Sequence, residues 1–108
     1  MIETLYKRKN LRFFLRYPIR LEFSSGGKSF ELDALTRNLG IGGLLLESPY
    51  PIPMECSVNF TISVEGERMV CPLEFAGSGE VVRVDPVLPG VGYTVALRYA
   101  RPLQCRRP

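Results

Sequence analysis

The sequence predicts an all-β domain, an antiparallel barrel or sandwich of six or seven short strands. Apolar and polar residues alternate with a period of two in several segments, and glycine- or proline-rich turns separate those segments at regular spacing. No segment shows the sustained periodicity of about 3.6 residues that a long helix requires. The chain has 108 residues, which is enough for one hydrophobic core and too few for two.

The composition is that of a folded globular domain, with 45% hydrophobic and 23% charged residues. No apolar run approaches the roughly 18 residues that a membrane span requires, and the start of the chain is too charged for a signal peptide. The three cysteines lack close spacing and there is no histidine, so neither a disulfide framework nor a zinc site is predicted. We therefore expect no metal, no cofactor and no membrane insertion.

Positive charge is concentrated at the start of the chain. Residues 1–20 hold six basic residues against one acidic residue, whereas the rest of the chain has a net charge of −2. This asymmetry favours a localised anionic ligand over a diffuse nucleic-acid surface, although a solvated basic arm would look the same. We divide the chain into a basic N-terminal arm (1–16), a β-domain (17–100) and a C-terminal tail (101–108) whose charge serves solvation.

The first strands follow from alternation. Residues 17–23 read as a half-buried strand, and residues 28–37 as a second strand with Phe30 and Leu32 facing inward. The Asn-Gly-rich segment that follows is predicted to bend the chain into a third strand at 44–47.

The next segment predicts a hairpin with a defined register. Val58–Val64 alternates, and a two-residue Glu65-Gly66 turn would return the chain as residues 67–75. The predicted pairs are Val64 with Glu67, Ile62 with Met69, Phe60 with Cys71, and Val58 with Leu73, which places Cys56 opposite Phe75. Three of these pairs are apolar on apolar, as one buried face requires.

The remaining strands are separated by glycine and proline. Gly77 and Gly79 are predicted to separate the hairpin from a strand at 80–85, and a stiff loop at 86–90 leads to the last strand, 91–99.

Two arginines near the start, Arg12 and Arg16, enclose three apolar residues and indicate an anion clamp. A guanidinium fork matches phosphate oxygens two at a time, which a lysine ammonium does not do. A diphosphate or a cyclic dinucleotide is a suitable ligand. Arg8 and Arg12 form a second pair with the same spacing. Arg83 and Arg98, on later strands, are weaker candidates, because an exposed strand arginine is the ordinary interpretation.

A second motif lies downstream, in the segment 38–43, where three glycines in four positions leave the backbone uncovered beside the amide of Asn38. Together with Arg12 and Arg16, the residues Asn38, Gly40 and Gly43 resemble the signature of the PilZ domain, the bacterial cyclic di-GMP receptor: R-x-x-x-R followed by [D/N]-x-S-x-x-G. The resemblance chooses the barrel, since PilZ domains are six-stranded antiparallel barrels. It also implies a cytoplasmic receptor or adaptor that acts on a downstream protein.

The resemblance assigns a role to each matching residue. Arg12 and Arg16 would bind phosphate oxygens and stack on guanine, Asn38 would bond a base edge, and Gly43 would let the strand approach the ligand. Gly40 stands where the family usually has serine. We expect ligand binding to pull a basic arm with few contacts of its own against the barrel.

Two other functions fit the same residues. A PilZ-like protein-interaction module that does not bind cyclic di-GMP is supported by Gly40. A small barrel that binds single-stranded nucleic acid is supported by basic and aromatic residues on strands, without specific recognition of DNA. An enzyme is not predicted, because there is no histidine and no carboxylate pair lies convincingly beside the glycines.

Overall fold

The structure, a computed structural model, describes residues 12–13, 16–65, 73–88 and 92–106, with the backbone alone at residues 12, 13 and 88. These residues form eight β-strands and no helix. The strands are β1 Arg12–Phe13, β2 Pro18–Ser25, β3 Lys28–Gly40, β4 Gly43–Ser48, β5 Ser57–Val64, β6 Leu73–Leu88, β7 Gly92–Tyr99 and β8 Gln104–Arg106. Within the described part of the chain, then, no helix is long and apolar enough to span a membrane.

Six strands close into an antiparallel barrel in the order β2–β5–β6–β7–β4–β3. The long strand β3 closes the ring, because its first part pairs with β2 and its second part pairs with β4. The predicted six-stranded barrel is therefore confirmed, and closure removes exposed sheet edges. The short strands β1 and β8 lie outside the ring, β1 against the end of β3 and β8 against the start of β6.

Alternation of side chains fills the barrel. In β2, for example, Ile19 and Leu21 are buried, whereas Arg20 and Glu22, which alternate with them, are exposed. Full burial of one such aliphatic side chain contributes about 1.5–3 kcal/mol, so the core determines which face of each strand turns inward. The core residues are Ile19, Leu21, Leu44, Leu46, Ile52, Val58, Phe60, Ile62, Val81, Val95 and Leu97.

The predicted register of β5 is wrong. The observed partners are Gly79 for Val58, Gly77 for Phe60, Phe75 for Ile62 and Leu73 for Val64. Each partner lies six residues further along the chain than predicted, and because six is an even number the same residues still face the core. Alternation of apolar and polar residues shows which face of a strand is buried. It does not distinguish between registers that are shifted by an even number of residues, because the same side chains are buried in each. Residues 66–72, which hold much of the predicted turn and return strand, lie outside the described residues.

The same shift corrects the position of Cys56. Its carbonyl accepts a hydrogen bond of 3.0 Å from the backbone N–H of Val81, so it lies beside β6 at Val81 rather than opposite Phe75.

Gly77 and Gly79 lie inside β6 and do not separate two strands as predicted. A Cβ atom at Gly77 would lie 2.8 Å from Cζ of Phe60 and 2.9 Å from Cδ2 of Leu103. A Cβ atom at Gly79 would lie 2.7 Å from the carbonyl oxygen of Arg98. These glycines therefore serve close packing within the sheet.

Strand β6 also continues through most of the predicted loop at 86–90. Pro86 lies opposite Tyr93, and the register shifts between Pro86 and Leu88. A proline is compatible with a strand at such an irregularity, where the ladder is already interrupted.

Two smaller predictions concern exposed segments. Leu32 packs against the core as predicted, whereas Phe30 is 43% exposed and stacks on Phe23, with ring centroids 5.4 Å apart. The segment predicted as a solvated tail contains β8, in which Arg106 pairs with Glu74 at 3.2 Å.

Candidate functional site

The glycine-rich segment forms the turn from β3 to β4 and one wall of an open groove of about 410 Å³. Pockets of roughly 300–1,000 Å³ are typical of small-molecule sites. Beyond the turn itself, the groove is lined by outward-facing residues of three neighbouring strands, which include Leu45, Val82, Arg83, Ala96 and Arg98.

A β-bulge in β3 turns Asn38 toward the groove. Thr36 pairs with Leu46 and Asn38 pairs with Leu45, so Arg37 is an extra residue in the ladder. Leu46 is in the core and Leu45 lines the groove. Without the bulge, Asn38 would face the core, as Thr36 does two residues earlier.

A second bulge, in β6, does the same for Arg83. Val81 pairs with Leu97 in the core, and Arg83 pairs with Ala96 at the groove, so Val82 is the extra residue. The two bulges therefore turn an amide and a guanidinium group toward the groove side of the same sheet, where Arg83 is exposed and Asn38 is only 9% exposed. Neither bulge has a glycine at its extra position, and we find no signal in the sequence that predicts them.

Gly43 has a packing role in this structure. A Cβ atom there would overlap the carbonyl oxygen of Leu97 and crowd the backbone of Arg98. A Cβ atom at Gly42, by contrast, would have no neighbour within 4 Å. The missing side chain at Gly43 is therefore explained by the approach of β4 to β7, and the expected role in ligand approach stays a prediction.

The two arginines of the predicted clamp are differently placed. The backbone of Arg12 lies directly opposite Gly40 in the β1–β3 ladder, and the role of Arg12 in ligand binding stays a prediction. Nη1 of Arg16 donates to Oε1 of Glu47 at 2.9 Å. Glu47 follows Leu45 by two residues and faces the same side of β4, which puts Arg16 next to the groove but not in its lining.

The weaker candidates Arg83 and Arg98 both line the groove. Nε of Arg83 lies 3.0 Å from Oδ2 of Asp85, and Nη2 of Arg98 lies 3.2 Å from Oε1 of Glu80. Arg8, the remaining candidate, lies outside the described residues. The groove thus joins candidate residues from the middle of the chain, Asn38, Gly40 and Gly43, with Arg83 and Arg98 from later strands.

The described part of the arm is already attached to the barrel. The N–H of Tyr17 donates to Oγ1 of Thr36 at 2.8 Å, and the N–H of Thr36 donates to the carbonyl of Tyr17 at 2.8 Å. With the pairing of β1 to β3, these bonds hold residues 12–13 and 16–17 along one strand. Among the described arm residues, 12–13 pair with β3 and Arg16 pairs with Glu47, so the expectation of an arm with few contacts of its own does not hold for them.

The groove combines guanidinium groups, an amide and an exposed apolar side chain. Its guanidinium groups can bond phosphate oxygens, the amide of Asn38 can donate to and accept from a base edge, and Ile41, which is 73% exposed, offers apolar surface. Among the described residues, no cluster of histidine, cysteine or acidic side chains could hold a metal ion.

Comparison with known proteins indicates the fold. No family model matches the chain, and no curated protein matches it in sequence. Among solved structures, the chain is similar to the Bacillus subtilis Inhibitor of motility (MotI/DgrA), with a TM-score of 0.68 and 14% sequence identity. The match covers 88% of this chain and 43% of that chain, so this chain spans less than half the length of that protein. At this identity, the likeness shows a shared barrel fold.

Proposed function

We propose that the protein is a cyclic di-GMP receptor of the PilZ type that regulates a partner protein in the bacterial cytoplasm. One observation carries the proposal: the backbone of Arg12 lies opposite Gly40 in the β1–β3 ladder, and Gly40 lines the groove. The two motifs are more than twenty residues apart in the chain, and the arginine spacing alone is common, whereas its combination with the glycine motif is not. Their meeting is what a shared ligand site requires.

The ligand's two phosphates would bind the guanidinium groups of Arg12 and Arg16, and Arg83 and Arg98, which line the groove, would supply further contacts. Asn38 would bond a guanine edge, and Ile41 would cover a base face. Gly40 provides no hydroxyl where the family usually has serine, which removes about 0.5–1.5 kcal/mol of binding free energy.

The regulatory part of the proposal has support from the fold. The similar barrel belongs to a protein described as an inhibitor of motility, which is a regulatory role. We propose that this chain likewise acts by contact with a partner, and that ligand binding alters the surface formed by β1, the arm and the β3–β4 turn.

Calorimetric titration with cyclic di-GMP tests the proposal. The wild type is expected to bind, and Arg12→Ala is expected to bind about 10- to 100-fold more weakly, because a charge-assisted hydrogen bond contributes about 1.5–3 kcal/mol. Arg20→Ala is the matched control, since Arg20 pairs with Asp33 at 3.2 Å and does not line the groove. Equal affinities of the wild type and Arg12→Ala would show that Arg12 does not contribute to ligand binding.

A second candidate function is a protein-interaction module that does not bind the nucleotide. Gly40 favours it, and so do the carboxylates that already pair with Arg16, Arg83 and Arg98. Gly40→Ser separates the two functions, because restoring the hydroxyl is expected to raise the affinity of a receptor up to about tenfold. Absence of binding by both the wild type and Gly40→Ser would favour the module.

Parallel titrations with GTP and a short single-stranded oligonucleotide address the remaining alternative. A receptor is expected to prefer cyclic di-GMP over both. Binding of the oligonucleotide with a steep salt dependence would instead indicate a nucleic-acid-binding barrel.

A further inference from the structure

We propose that Glu47, Glu80 and Asp85 are resident counterions of the groove, which compete with an anionic ligand for the arginines and thereby lower its affinity. The inference rests on the proposed function and adds to it the residues that oppose binding. Each of the three carboxylates contacts one arginine at or next to the groove: Glu47 contacts Arg16 at 2.9 Å, Asp85 contacts Arg83 at 3.0 Å, and Glu80 contacts Arg98 at 3.2 Å.

These pairs balance the charge of the described rim. Three guanidinium groups face three carboxylates, so the six side chains together have no net charge. The charge pattern of the sequence predicts a basic arm and an attractive clamp, but the acidic partners come from β4 and β6, far from the arm in the sequence. A dianionic ligand therefore meets ion pairs at this rim, where isolated cations would attract it more strongly.

The register of the sheet holds two of these pairs together. Glu80 and Arg98 are direct partners in the β6–β7 ladder, and directly opposed residues have Cβ atoms about 4.5–5.5 Å apart. Arg83 and Asp85 are two residues apart on β6 and project to the same face. Because the backbone fixes these spacings, the carboxylates remain near the arginines even when a ligand has displaced them.

The pairs are exposed enough to open. The arginine side chains retain between 58% and 67% of their accessible surface, and the carboxylate side chains retain between 32% and 55%. Exposed ion pairs are weak and are screened by salt. The carboxylates therefore compete with a phosphate without blocking it, and removing one should strengthen binding about two- to fivefold at low salt.

The test is calorimetric titration of the whole chain with cyclic di-GMP, using the near-isosteric variants Glu47→Gln, Glu80→Gln and Asp85→Asn. Each variant is expected to bind about two- to fivefold more tightly than the wild type at about 20 mM salt and equally at about 0.5 M salt. Asp33→Asn is the matched control, because Asp33 pairs with Arg20 at 3.2 Å away from the groove. It is expected to leave the affinity unchanged.

Affinities of all three variants at or below that of the wild type would overturn the inference while the proposed function stands. If neither the wild type nor any variant binds cyclic di-GMP, the proposed function fails, and titration with pyrophosphate decides the inference separately. Tighter pyrophosphate binding by the three variants than by the wild type and Asp33→Asn would support resident counterions. Equal pyrophosphate binding would overturn them.

Discussion

The absence of a side chain at one glycine allows two strands beside the groove to approach each other closely. Gly43 allows β4 to lie against the carbonyl of Leu97, whereas its neighbour Gly42 borders open space. Adjacent glycines in one motif thus have different physical roles. The difference makes them a matched pair for experiment.

We expect Gly43→Ala to lower the free energy of unfolding by about 1–3 kcal/mol, because the added methyl group forces two strands apart. Gly42→Ala is expected to change it by less than about 0.5 kcal/mol. Urea denaturation of both variants measures the difference. Equal stabilities would show that β4 can shift to accommodate a side chain at Gly43.

Tyr99 has a buried hydroxyl group at the end of β7. No hydrogen-bond partner for this hydroxyl is found among the described residues, and its ring lies 6.0 Å from that of Phe60, centroid to centroid. Burial raises the pKa of Tyr99 to about 12, from an ordinary value of 10.0. The hydroxyl therefore costs desolvation without a compensating bond.

Tyr99→Phe is expected to leave the free energy of unfolding at neutral pH unchanged or to raise it by up to about 1 kcal/mol. The pKa of Tyr99 is higher in the folded state than in the unfolded state, so ionisation of the phenol favours unfolding. The free energy of unfolding of the wild type is therefore unaffected by this group below pH 10 and falls as the pH rises from 10 toward about 12. The stability difference between the wild type and Tyr99→Phe, measured across this range, should show the loss. A clear destabilisation by Tyr99→Phe at neutral pH would indicate a hydrogen bond at the hydroxyl.

At the scale of elements, the β2–β3 hairpin contains one unfavourable cross-strand pair. Glu22 and Glu31 are directly opposed and both exposed, whereas two residues away Arg20 is opposed to Asp33 and pairs with it at 3.2 Å. Like charges in opposed positions destabilise a sheet.

Glu22→Lys is therefore expected to raise the free energy of unfolding by about 0.2–1 kcal/mol at low salt, since lysine would face Glu31. Thermal or urea denaturation at low and high salt measures the change. Glu22→Gln, which removes the repulsion without adding an attraction, should show a smaller gain. A gain that persists unchanged at high salt would point to a cause other than charge.

Ring closure is the organising feature of the whole molecule. The barrel closes because β3 is long enough to pair with β2 along one part and with β4 along another. The stability of the barrel therefore depends on contacts between residues that are distant in the sequence. The outer strand β8, by contrast, pairs only with β6 among the described strands, and its three residues are exposed.

Hydrogen exchange should reflect this difference. Backbone amides of β8 are expected to exchange through local opening, with little dependence on denaturant, and those of β5 around Ile62 through global unfolding. Native-state exchange at increasing urea concentration distinguishes the two. Equal protection of both strands would mean that β8 unfolds together with the barrel.

Several features could be predicted from the sequence because they depend on local chemistry. Alternation around Ile19 and Leu21 identifies β2 and its inner face, and similar patterns identify β5 and β7. The pairing of Arg12 with Gly40 could not be predicted from the sequence, since nothing in the spacing brings residues so far apart into one ladder.

The sequence by itself determined that the chain is an all-β domain with most of its inner faces assigned, because period-two burial and turn chemistry are properties of neighbouring residues. Only the tertiary structure decided the register of β5 on β6, the bulges that turn Asn38 and Arg83 outward, and the carboxylates that pair with the groove arginines. These features depend on which backbone groups pair across the sheet. Registers shifted by an even number of residues bury the same side chains, so the sequence of one strand does not distinguish between them.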